Sequence, residues 1–311
     1  MTHKYTLLFL GLSLALGACE EDFDAYNDIK GLRVLAHASD KPQLPPNESA
    51  TLSALVTEDA DYAWSWCPFP GPAESGYACA LTHADVQAFA DEVLATPVVI
   101  PDFDLGSATT AVFPYEMPPL LFVSICGLLA SGSVPDGFDV PNCDESFDIQ
   151  IMLTVSAGDE SITSVSTLRL LLDADTVPNQ NPVLAGITIN EPEGDEIILD
   201  PMGPTPMKRE QLYELHLDVT EDSAENYLRT DPEPEDLQET LVARWFHQGG
   251  KLDKDASSFL PGSIPIDILQ KNEWTPPTVE DYPETSSRLF VVLRDNRGGV
   301  TWQVRDIELV P

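Results

Sequence analysis

Apolar and polar residues alternate with a period of two through most of this chain, the mark of half-buried strands. Leu32, Val34 and Ala36 fall on one face. Beyond the turn-rich Lys41-Pro42-Gln43-Leu44-Pro45-Pro46-Asn47, Leu52, Ala54 and Val56 fall on another. The run Tyr62 to Cys67 places Trp64 and Trp66 at i and i+2, on one face of a strand. Ile149, Ile151, Leu153 and Val155 follow the same period, and the turn Ala157-Gly158-Asp159-Glu160 leads into Ile162–Leu172, which predicts a hairpin. The pattern restarts with Leu184–Ile189. It continues through Tyr213, Leu215, Leu217 and Val219, then Leu241, Ala243 and Trp245, then Leu289, Val291 and Leu293. After the turn signal Asp295-Asn296-Arg297-Gly298-Gly299, a last strand runs from Trp302 to Leu309. Its apolar face switches between Val304 and Ile307, which predicts a bulge.

Two segments break the period. Thr82, with Asp85 three residues on, reads as a capped helix start, and Val86, Phe89, Val93 and Leu94 follow at helical spacing. Residues 126–147, rich in Gly and Pro, read as an irregular excursion. Asp173-Ala174-Asp175-Thr176-Val177-Pro178-Asn179-Gln180-Asn181-Pro182 reads as a linker between two β-rich blocks. The expected organisation is a first domain over 29–175, a linker at 176–182 and a second domain over 183–311.

The N-terminus carries a different signal. Leu7 to Ala18 is an apolar run of twelve residues broken only by Ser13, behind His3 and Lys4. As a helix it rises about 18 Å, too short for a hydrocarbon core of about 30 Å, so residues 1–18 read as a signal peptide. Leu16-Gly17-Ala18-Cys19 resembles the lipobox of bacterial lipoproteins, which implies cleavage before Cys19 and acylation of its thiol. Residues 19–28, with Glu20, Glu21, Asp22, Asp24 and Asp28, then read as an acidic, solvated tether.

Composition narrows the functions. The chain has 52 acidic against 16 basic residues, a formal charge of −36, which disfavours binding to nucleic-acid phosphates or to anionic headgroups. An apolar fraction of 43% indicates packed cores rather than an acidic disordered chain. Besides Cys19, four cysteines remain, an even number suited to an exported protein. Local pairing, Cys67–Cys79 and Cys126–Cys143, is favoured because each closes a Pro/Gly-rich loop. The crossed pairing, Cys67–Cys126 with Cys79–Cys143, is the rival.

The segments Leu289–Gly299 and Val242-Ala243-Arg244-Trp245 resemble the closing hairpin and central Trp strand of PKD-like and immunoglobulin-like domains. The Trp64/Trp66 strand and the 149–172 hairpin are similar to the same superfamily, and the whole chain resembles bacterial surface lipoproteins with tandem domains of this kind. The fold class this implies is all-β, two tandem immunoglobulin-like β-sandwiches, the first with a short inserted helix and long loops.

No HExxH, GxSxG, P-loop or dinucleotide fingerprint occurs, and His37, His83, His216 and His247 include no pair at i, i+4. Trp64, Trp66 and Trp245 read as core. Trp274, between Glu273 and Pro276, reads as a loop residue and so as the candidate ligand contact. Asp173, Asp175, Asn179 and Asn181 offer hard oxygen ligands suited to Ca²⁺. Four such residues with Pro178 among them do not guarantee convergence, so weak or no specific calcium binding is expected, and no other cofactor. The resulting expectation is a non-enzymatic binding or structural module. It is anchored by lipid to the bacterial envelope, at the outer membrane, and meets a protein or polysaccharide partner and no nucleic acid. The alternative is a polysaccharide-acting enzyme or carbohydrate-binding accessory protein of the envelope.

Overall fold

A computed structural model describes residues 25–71, 73–130, 146–190, 196–229 and 235–311. Cys19, most of the tether and Cys143 lie outside the described residues. The first block carries β1 (Val34–Ser39), β2 (Gln43–Leu44), β3 (Ser49–Val56), β4 (Asp61–Cys67), α1 (His83–Val93), β5 (Asp104–Gly106), β6 (Ala111–Pro114), α2 (Pro119–Ala130), β7 (Ser146–Ala157) and β8 (Glu160–Leu171). The second begins with β9 (Gly186–Asn190), β10 (Glu196–Ile198), β11 (Thr205–Lys208) and β12 (Tyr213–Asp218). It continues through β13 (Asn226–Arg229), β14 (Glu235–Gln238), β15 (Leu241–His247), β16 (Lys251–Leu252) and β17 (Ala256–Phe259). It ends with α3 (Ile266–Gln270), β18 (Lys271–Thr275), β19 (Ser286–Asp295) and β20 (Val300–Val310).

Each block is a sandwich, and the two repeat one plan. The first sets β1-β3-β6 against β2-β8-β7-β4-β5, and the second sets β10-β9-β12-β18-β16 against β11-β20-β19-β15-β17. In both, a first, second and fifth strand in the immunoglobulin order (A, B, E) face a C-F-G sheet. A short strand runs parallel to the last one in each case, β2 on β8 and β11 on β20. The strand order itself therefore gives the all-β, immunoglobulin-like architecture.

The cores follow the period-two pattern. Ile149, Ile151, Leu153 and Val155 are buried to within 1% with Trp64 and Trp66, whose indole N–H groups donate to the Ala108 and Asp102 carbonyls at 3.0 and 2.8 Å. The β7–β8 hairpin turns in two residues, with Gly158 at φ 58°, a left-handed value that glycine adopts without strain. Helix α1 begins at the predicted capping box, Thr82 and Asp85, and buries Val86 and Ala90. Helix α2 is a departure, since residues 126–130 continue a helix rather than begin an irregular loop. Pro119 at its first position, together with Leu121, Phe122 and Ile125 on the buried side, was the available signal.

Strands β1, β19 and β20 depart from one-sided alternation. A register shift in β1 between Val34 and Ala36 turns Leu35 and Ala36 away from the first core. Hence Val34 and Ala36 do not share a face. The β19–β20 ladder is continuous from Ser286–Glu308 to Arg294–Val300, so the expected bulge near Val304 is absent. The apolar switch has another cause. Ile307 and Leu309 point into the second core, whereas Val300, Trp302 and Val304 point outward and pack against the first sandwich.

Candidate functional site

The C-F-G sheet of the second sandwich presents an apolar outer face. Phe246 from β15 and Phe290 and Val292 from β19 are buried there with Ile29, Leu35, Ala36 and Leu55 of the first sandwich, and Val300, Trp302 and Val304 pack around them. Polar groups close the seam. The N-terminal segment runs beside β15, with Ile29 N donating to the His247 carbonyl at 2.8 Å and His247 N to the Asn27 carbonyl at 2.9 Å. The Asn27 side-chain amide donates to Asp255 Oδ1 at 2.7 Å. Asn27 and Asp28, assigned to the tether from sequence, are thus docked on the second sandwich. An apolar, hydrogen-bonded seam of this kind opposes the domain motion that is otherwise the default.

Beside the seam, where β1 and β8 part at the edge of the first sandwich, lies a cleft of about 700 Å³. One wall carries His37, Ser164 and Ser166. The other carries Arg244 and Arg294 on the outward face of β15 and β19. Arg294 lies opposite Val242 in the ladder and Arg244 opposite Val292, so the two arginines are diagonal neighbours on one face. Arg294 Nη2 donates to the Leu35 carbonyl at 3.0 Å, while the Arg244 side chain makes no hydrogen bond or ion pair among the described residues. Among the described residues no Asp, Glu or Lys lines the cleft, although acids outnumber basic residues more than threefold in the chain.

The local field follows from this arrangement. Burial pushes the Arg294 guanidinium below its usual pKa. The nearby Tyr26 hydroxyl opposes the shift and the like charge of Arg244 adds to it. His37 is pushed down to about 4, by burial first and by Arg294 second, so its imidazole is neutral near pH 7. Its Nδ1 lies 3.1 Å from Ser166 Oγ, its ring meets Trp64 edge-on at 5.8 Å, and its Nε2 is buried without a partner.

The residues singled out from sequence have the following places. Cys67 and Cys79 form a disulfide. Cys126 is also a disulfide cysteine, whereas Cys143 lies outside the described residues. Trp274 corrects the sequence reading, because it sits in β18 rather than a loop and is fully buried, so it touches core rather than ligand. Asp173 and Asp175 are exposed, with Asp175 N donating to Asp173 Oδ1 at 2.9 Å. Asn179 and Asn181 serve the seam instead. Asn179 Nδ2 donates to Asp295 Oδ2 at 3.0 Å. Asn181 donates to the Ser39 carbonyl at 2.7 Å and accepts from Val300 N at 2.8 Å. Among the described residues no group of three or more His, Cys, Asp or Glu side chains is placed to hold a metal. The sequence reading passed over Arg244, Arg294 and His37. The available signal was apolar residues at both parities of β15 and β19, with Arg244 in the outward row of β15 and Arg288 and Arg294 in that of β19.

No family model matches the sequence, and a search of the curated proteins gives no match. Solved structures similar to this chain include the fibronectin(III)-like modules of Clostridium thermocellum CbhA, at 8% identity and a TM-score of 0.20, covering 90% of this chain and 94% of that one. Murine CEACAM1b is 9% identical with a TM-score of 0.21, covering 88% and 100%. A Dscam structure solved for isoform specificity is 9% identical with a TM-score of 0.22, covering 91% and 78%. Superpositions this loose carry no argument, and the fold rests on the strand order above.

Proposed function

We propose that this chain is a lipid-anchored protein of the bacterial envelope, held at the outer membrane through Cys19, whose two sandwiches act together as a non-catalytic binding or structural module. The apolar seam between the sandwiches carries this reading, because it makes one body of two domains and leaves their loops and outer faces to meet a partner. The Cys67–Cys79 disulfide fits export to an oxidising compartment. The rival reading, a polysaccharide-acting enzyme, draws less support. Trp274, the candidate ligand contact, is buried to within 1%, as are Trp64 and Trp66, which leaves none of the three exposed to stack on a sugar.

Expression in a diderm bacterium with labelled palmitate tests the anchor. The label should enter the protein, intact mass should place acylated Cys19 at the mature N-terminus, and Cys19→Ser should abolish labelling. An unacylated chain free in the periplasm would overturn the proposal.

A further inference from the structure

The geometry points to the interdomain cleft as a binding site for a small hydroxylated oxyanion, such as a uronic acid or a sugar phosphate, held by the guanidinium groups of Arg244 and Arg294. This deepens the binding-module reading by naming a ligand class, and it is independent of acylation at Cys19.

Three observations carry it. First, two guanidinium groups face one cleft as diagonal neighbours, and Arg244 lacks an acceptor among the described residues while Arg294 gives one donor to the Leu35 carbonyl. Each guanidinium has five N–H donors, so most of the donor capacity in the cleft is free to take carboxylate or phosphate oxygens, which match its fork geometry. Second, among the described residues no Asp, Glu or Lys lines the cleft, in a chain that carries 52 acids. Two like charges held together without a counter-ion repel each other, and an incoming anion relieves that repulsion. Third, the opposite wall is hydroxyl-bearing and uncharged. Ser164 and Ser166 lie there with the neutral His37, whose buried Nε2 has no partner. Hydroxyls and an imidazole suit the hydroxyl groups of a sugar, and an inorganic ion would leave them unused. A volume of about 700 Å³ is within the range of small-molecule sites.

The plainer reading is that the arginine stems only cover the rim of the apolar seam. Calorimetric titration of the purified, processed chain at low salt separates the two. The probes are glucuronate, glucose 6-phosphate, inorganic phosphate and neutral glucose. Saturable one-site binding of glucuronate or glucose 6-phosphate is expected, with the stronger of the two identifying carboxylate or phosphate as the preferred anion. Glucose should not bind, and inorganic phosphate should bind at least tenfold more weakly. Arg244→Gln should weaken binding at least tenfold with the melting temperature unchanged. Absence of saturable binding to both acidic sugars overturns the proposal. So does binding unmoved by Arg244→Gln, or inorganic phosphate held as tightly as the sugars. Failure here with Cys19 acylated leaves the anchored module standing, and the converse result refutes the anchor alone.

Discussion

At the scale of single residues, His37 is the most exacting group. It is neutral in the folded chain because burial and Arg294 push it down to about 4, whereas in the unfolded chain it titrates near its ordinary value of 6.5. Above pH 6.5 both states are neutral and the group contributes no pH dependence. As pH falls from 6.5 toward 4 the unfolded state takes up a proton that the folded state refuses, so stability declines, and below about 4 the decline stops. The loss from this one group is expected to be about 1–3 kcal/mol. Urea unfolding of wild type and His37→Gln across this range should show the decline in wild type and a shallower one in the variant. Parallel curves would mean that His37 titrates normally in the folded protein.

At the scale of elements, the β19–β20 turn does more than reverse the chain. The Asp295 carboxylate accepts from Arg297 N at 2.7 Å and Gly299 N at 2.8 Å, and its other oxygen accepts from the Asn179 amide of the linker. Any β-carbon at position 299 would lie 2.0 Å from Asp295 Oδ2 and 2.9 Å from the Gln180 carbonyl. The turn therefore needs glycine there on packing grounds. Gly299→Ala is expected to displace the carboxylate, release Asn179 and cost about 1–3 kcal/mol in denaturant unfolding. A change below half a kilocalorie would show that the turn adjusts freely. The sequence marked this turn by its Asp, Asn and Gly residues, while its tie to the linker depends on a contact 116 residues away.

For the whole molecule, the seam decides whether the sandwiches move as one. Val292 is fully buried there, on the face of β19 opposite the Val291 and Leu293 side chains of the second core. Val292→Lys buries a charge in the seam directly across the ladder from Arg244, which repels it, at a cost of several kilocalories, roughly 3 kcal/mol or more. Wild type is expected to unfold in one calorimetric transition. The variant should show two, with a larger radius of gyration in X-ray scattering. One unshifted transition with unchanged scattering would mean that the seam does not couple the domains.

The sequence determined what depends on near neighbours. Period-two alternation specified the strands around Trp64, Trp66, Trp245 and the 149–172 hairpin, Thr82 with Asp85 specified the start of α1, and Cys67 with Cys79 made a local bridge legible. In each case the residues that must agree lie within about a dozen positions of one another, or on one strand or hairpin. The second face of a strand is a different matter. Alternation assigns each strand one buried face and is silent on whether the other meets water or a second domain, so Phe246, Phe290 and Trp302 gave no sign of their partner. For the same reason Trp274, flanked by Glu273 and Pro276, reads as a loop residue until β12 and β16 pair on either side of its strand. The cleft is the extreme case. Its Arg294–Leu35 contact spans 259 residues, so the arginines, His37 and the serines come together only after two sandwiches have folded and docked. Tertiary structure alone decided that convergence, because no local rule ties residues so far apart to one another.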